Sequence, residues 1–195
     1  MFMLLLLGLG LGAITLVPPG PVSVTLVQVA VRRGRSVGFR SGAAIASADL
    51  ITGVLAIAIL GIGTAALPSV AASMSVVAAA AMMVMGGLLI ARPVGFGGLA
   101  VGLKRPARTL FALTALNPLT LLSWMAIIAA VPAANTTPRQ AALAAGVTVA
   151  SYSWHPFLGL VAGRAGQRIN ASTTVRVTRA SGVVLILLGS IFALG

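Results

Sequence analysis

The chain has 195 residues, of which 59% are hydrophobic and 7% charged, with a mean hydropathy of +1.12. A soluble domain covers its surface with roughly 25% charged residues, so this composition excludes an ordinary water-soluble globule and points to an all-α integral membrane protein. Thirteen Lys/Arg against a single acid, Asp49, give a net charge of +12. These cations fall in the gaps between apolar runs, where they set membrane orientation, and nucleic-acid binding is not expected.

The first apolar run, Phe2 to Val31, exceeds the ~20 residues that cross a bilayer. It lacks a basic n-region, and Leu16-Val17-Pro18 does not resemble an A-x-A cleavage site, so the run is expected to stay in the mature protein. In its middle stands Val17-Pro18-Pro19-Gly20-Pro21-Val22-Ser23. Each proline removes a backbone N–H, and its ring clashes with the carbonyl one turn back. In lipid, unpaired backbone survives only where it is buried in protein or lines a wet cavity. A span broken there points to a transport site.

Arg32, Arg33, Arg35 and Arg40 follow the first run, and then Ser41 to Ala91 carries Asp49 as its only charge. That length fits two spans, with the turn at Pro68 after Gly61 and Gly63. A Gly-rich loop, Arg92 to Arg108, holds Arg92, Lys104, Arg105 and Arg108. The fourth span runs from Thr109 to Val131 and is interrupted by Asn117-Pro118. Pro132 to Pro138 reads as a turn, and the fifth span covers about Gln140 to Ala162. A basic stretch with Arg164, Arg168, Arg176 and Arg179 leads into the last span, expected to start near Thr174 with its arginines snorkelling. Six spans result.

The segments after spans one, three and five each hold four Lys/Arg, whereas the loop after span four holds only Arg139. The positive-inside rule places the three basic segments in the cytoplasm and both termini outside. The halves also match in order. Val17-Pro18-Pro19 corresponds to Leu116-Asn117-Pro118, Ser41 to Ser47 corresponds to Ala145 to Ser151, and Gly86 corresponds to Gly189. This predicts one transmembrane domain over 1–195: repeat one about 1–91, a basic linker 92–108, and repeat two about 109–195. Three spans per repeat invert the second copy, an arrangement common in secondary transporters.

Pro21 after Gly20, and Pro118 after Asn117, have the form of a cap followed by proline at the first helical position. Each would start a half-helix near mid-membrane, with free N–H groups and partial positive charge suited to a carboxylate. Ordinary proline kinks are the alternative. Asp49 within an apolar span costs ~2.5 kcal/mol or more unless it meets a cavity or a partner. It could hold a substrate ammonium or carry a proton; a membrane-end pairing with Arg40 is the structural alternative. His155, in Tyr152-Ser153-Trp154-His155-Pro156, is a candidate proton partner or a hydrogen-bonded packing residue. By the repeat, Ser153 takes the place of Asp49. Trp124, Tyr152 and Trp154 read as packing or interfacial residues. Cysteine is absent and no His/Asp/Glu cluster or phosphate loop occurs, so no metal, cofactor or catalytic role is expected.

At Pro18-Pro19-Gly20-Pro21, Gly42 to Asp49, Asn117-Pro118 and Ser151-x-x-Trp154, the chain resembles the LysE/RhtB family of bacterial amino-acid exporters. The resemblance covers the whole length. It implies proton-driven efflux of amino acids or related small zwitterionic metabolites across the inner membrane, by a homodimer. Many members carry Lys after Asn-Pro; here Leu119 stands in that place, which implies a difference in substrate or coupling. A passive small-solute channel and a non-transporting membrane scaffold are the other readings. Asp49 and the paired breaks count against the scaffold.

Overall fold

Helix is the only regular structure among the residues described in the computed structural model: 1–16, 21–66, 76, 79–80, 83–84, 86–91, 103–165 and 171–194. Pro18, Pro19, Gly20, the expected turn at Pro68 and most of the linker lie outside the described residues. The helices are α1 (Phe2–Leu16), α2 (Pro21–Arg33), α3 (Arg35–Ala66), α4 (Pro106–Ala115), α5 (Pro118–Ala129), α6 (Thr137–Ala165) and α7 (Ala171–Leu194).

Proline and glycine set several of these limits. α2, α4 and α5 each start at a proline, where the missing N–H costs nothing because the first turn has no partner for it. α2 ends on Arg32 and Arg33, which complement the negative end of its dipole. Gly34, with φ 84°, turns the chain directly into α3, a conformation that glycine adopts without a Cβ penalty. Arg35 and Arg40 therefore lie inside α3, which extends the second span six residues ahead of its expected start at Ser41. α7 likewise begins at Ala171, before the expected Thr174, and keeps Arg176 and Arg179 exposed on its surface.

Arg35–Gly61, 27 residues, is long and apolar enough to cross a membrane by itself, with an 18-residue stretch of mean hydropathy 2.2. At 1.5 Å per residue it reaches about 40 Å, more than the hydrocarbon thickness. α4 and α5 qualify when read together as one span bent by 50°.

Small residues decide how the helices meet. α3 carries Gly38 and Gly42, and α6 carries Gly159 and Gly163, each pair one G-x-x-x-G repeat. A Cβ on Gly38 would strike the Gly159 carbonyl, and one on Gly42 would strike the backbone of His155 and Pro156. Gly163 abuts Gly34 and Arg35 in the same way. Contacts descend along α6 as they ascend along α3, so the two helices are antiparallel and touch backbone to backbone. Close approach of this kind replaces the hydrophobic drive that lipid cannot supply. α1 runs parallel to α6, with Gly8 against Leu143 and Gly146, and Gly12 against Val147 and Ala150.

Around this seam sit two apolar clusters. One joins Leu4, Ala56, Leu60, Trp124 and Leu143; the other joins Leu26, Val29, Ile45 and Leu110. The six-membered ring of Trp124 packs against Gly53, where a Cβ would come within about 3.0 Å of its atoms. The described part of the expected third span packs on α7, with Gly86 on Gly182 and Gly189 on Ala79 and Met83. These directions have a consequence for charge. The start of α3, the start of α4 and the end of α6 share one end of the molecule, so Arg35, Arg40, Arg105, Arg108 and Arg164 gather there. Leu4 of α1 packs with Val131 and Ala134 at the other end.

Candidate functional site

Seven residues beyond Gly42, α3 presents Asp49, and the seam brings it to α6. Ser151 Oγ donates to Asp49 Oδ2 at 2.6 Å and stands 3.0 Å from His155 Nδ1. His155 Nδ1 lies 3.8 Å from the same carboxylate oxygen. All three residues are buried. Ser151 and His155 are one helical turn apart on α6, the spacing that puts two side chains on one face. Pro156 removes the next N–H of the helix, and the His155 carbonyl beside it packs against Gly42.

A serine hydroxyl has one proton and two lone pairs. While Ser151 donates to Asp49, its contact with His155 requires an Nδ1–H donating to Oγ. With the proton on Asp49 instead, the carboxyl donates to Ser151 and Ser151 donates to a bare Nδ1. The cluster thus has two self-consistent hydrogen-bond orders that differ by the position of one proton. Among the described residues no Arg or Lys pairs with Asp49: Arg40 sits nine residues back, over two turns toward the arginine-rich end. The expected alternative of an Asp49–Arg40 pair does not form.

Ser153, the residue that the repeat aligns with Asp49, faces away from the cluster. Its hydroxyl turns to the Val149 carbonyl at 2.8 Å on an exposed face, and Ser151 takes the contact with Asp49. Two residues along α6 is a rotation of about 200°, so Ser151 and Ser153 lie on opposite faces of the helix. Ser151 is the functional candidate that sequence reading passed over; its i, i+4 relation to His155 was the available signal. Beside the cluster, Ser47 and Tyr152 share a hydrogen bond of 2.8 Å. Trp154 stacks obliquely on Phe157 at 6.3 Å and buries an indole N–H with no protein acceptor among the described residues.

The second helix break is well defined. Asn117 N–H bonds the Thr114 carbonyl at 3.2 Å, a tightened last turn for α4. Its own carbonyl accepts from Thr120 and Leu121, which starts α5. Leu116 and Pro118 are exposed and Asn117 is half-buried. The described contacts do not join this break to Asp49. At the first break, Pro21 opens α2, while Pro18, Pro19 and Gly20 lie outside the described residues, as does the side chain of Leu119. Among the described residues no group of His, Asp and Glu could hold a metal ion.

An all-helical chain with an apolar exterior, glycine-lined helix contacts and one buried carboxylate cluster defines a membrane protein of the transport class. The model of the LysE type translocator family matches residues 13–195, and the chain belongs to that family. This is a family of transporters rather than of enzymes. No curated protein and no solved structure matches the chain.

Proposed function

We propose that the protein is a secondary transporter that exports amino acids or related small zwitterions across the bacterial inner membrane, driven by the proton gradient. In this reading the six spans form two inverted three-span repeats, both termini lie outside and the arginine-rich end faces the cytoplasm. The working unit is a homodimer.

The observation that carries this reading is the chain's only acid, buried in a span and joined to His155 through Ser151. A carboxylate in that setting is expensive and is retained where it moves a proton or holds a cation. Substrate carboxylates would be met by the N–H groups that open α2 and α5, where the helix dipoles favour anions. Asp49 and His155 couple; Pro18 to Pro21, Asn117 and Pro118 bind.

Proteoliposome flux with and without an imposed pH gradient tests it. Asp49→Asn keeps shape and hydrogen bonding but cannot titrate. Gradient-driven accumulation should fail in this variant while substrate exchange survives. Equal loss of both activities would move Asp49 from coupling to substrate binding. Wild-type flux that ignores the pH gradient would favour a passive pore.

A further inference from the structure

The arginine-rich end carries a second feature, separate from the Asp49 cluster. A cavity of about 210 Å³ opens between the first turns of α3 and the start of α4, lined by Val37, Arg40, Arg105, Pro106, Ala107 and Arg108. Its wall is mostly apolar, and three exposed arginines, Arg40, Arg105 and Arg108, contribute to it. Ordinarily such arginines are matched by Asp or Glu. Here the only acid in the chain is Asp49, and it is buried with Ser151. No side chain of this protein can supply a counter-charge to Arg40, Arg105 and Arg108.

The helix end in the same cavity adds to the deficit. Arg105 occupies the cap of α4 and makes no side-chain cap bond. The first helical hydrogen bond runs from Thr109 N–H to the Arg105 carbonyl, so the N–H groups of Ala107 and Arg108 precede the ladder. Unmatched N–H groups, a positive dipole end and arginine forks together favour an oxyanion with several acceptor oxygens. The floor of Val37, Pro106 and Ala107 suits an attached hydrocarbon or glycerol group.

We infer that this cavity binds a phosphate group, supplied by an anionic phospholipid or by free phosphate. Basic pockets between helices at a membrane surface take lipid headgroups by the same chemistry. The inference does not depend on the transport reading, since it uses none of the residues assigned to coupling or substrate.

The test uses the full chain purified in a neutral detergent, with lipid retention followed by native mass spectrometry and stability by thermal melting. The probes are phosphatidylglycerol, phosphatidylcholine and inorganic phosphate. Wild-type protein should retain phosphatidylglycerol at least tenfold over phosphatidylcholine. Each of Arg40→Gln, Arg105→Gln and Arg108→Gln should weaken retention about fivefold, and the triple variant about a hundredfold. Arg139→Gln, at the other end, should change nothing. Val37→Glu keeps all three arginines but places a carboxylate among them, and should also release the lipid. Protection by inorganic phosphate, lost in the same variants and not exceeded by phosphatidylglycerol, assigns the site to free phosphate. Equal retention of both lipids by wild type, without protection by phosphate, overturns the inference. So does phosphatidylglycerol binding that the triple variant and Val37→Glu keep in full.

Discussion

Gly42→Ala is the smallest change that should open the α3–α6 seam. The added Cβ would lie 2.5 Å from the His155 carbonyl carbon and 2.6 Å from Pro156 N. Carbon atoms rest at about 3.5 Å or more, so the shortfall is ~1 Å. Both obstacles are backbone, and no rotamer change can relieve them; the helices have to separate. Overpacking of this kind costs about 1–3 kcal/mol. Asp49 lies seven residues further on, about 10 Å along the axis. A separation of 1 Å carried that far would stretch the 2.6 Å bond from Ser151 to Asp49 beyond hydrogen-bond range. Losing a hydrogen bond to a charged group adds about 1.5–3 kcal/mol. The sum, about 2.5–6 kcal/mol, should lower the melting midpoint in detergent by roughly 10 °C for a chain of this size. Gly10→Ala is the control. A Cβ there meets nothing within 4 Å, and alanine is the better helix former by up to ~1 kcal/mol, so this variant should melt at or above wild type. Gly42→Ala melting beside Gly10→Ala, with coupled flux intact, would refute the reasoning: the seam would then be slack, and the Asp49 contact independent of it.

Ser151→Ala removes the bridge but neither titrating group. It should reduce gradient-driven accumulation in proteoliposomes more than exchange, and cost about 1–3 kcal/mol in detergent unfolding because the carboxylate loses its donor; unimpaired accumulation would show that Ser151 bridges nothing of consequence. The chain contains no cysteine, so single cysteines report sidedness cleanly. With the proposed orientation, an impermeant thiol reagent applied to intact cells should label N135C and not R105C, and the reverse pattern would invert the topology. Gly20→Leu should abolish transport while leaving insertion intact, since a side chain would block close approach of ligand to backbone. Asn117→Ala should weaken substrate binding about fivefold, the equivalent of ~1 kcal/mol for a lost cap. Normal flux in both would make the two breaks structural kinks.

The amino-acid sequence by itself determined the class of this protein. Its helices are apolar almost all round and its cations lie between them, and lipid accepts such segments only as helices. Pro21 and Pro118 begin helices as their chemistry requires, because a proline loses nothing in a first turn. The clustering of Lys/Arg in alternate segments anticipated the gathering of Arg35, Arg40, Arg105, Arg108 and Arg164 at one end. What the sequence could not disclose was which faces meet. A helix apolar on every side has no polar stripe from which its inward face can be read, so Gly38 and Gly42 looked like any other small residues. Only the tertiary structure set them against Gly159 and the His155 backbone, in antiparallel register. That register selected Ser151, 102 positions away, as the partner of Asp49 in place of Arg40. It also placed Arg105 and Arg108 opposite Arg40, with no acid between them. Both arrangements depend on rotation about helix axes, a quantity fixed by packing glycine against backbone and by nothing local to either helix.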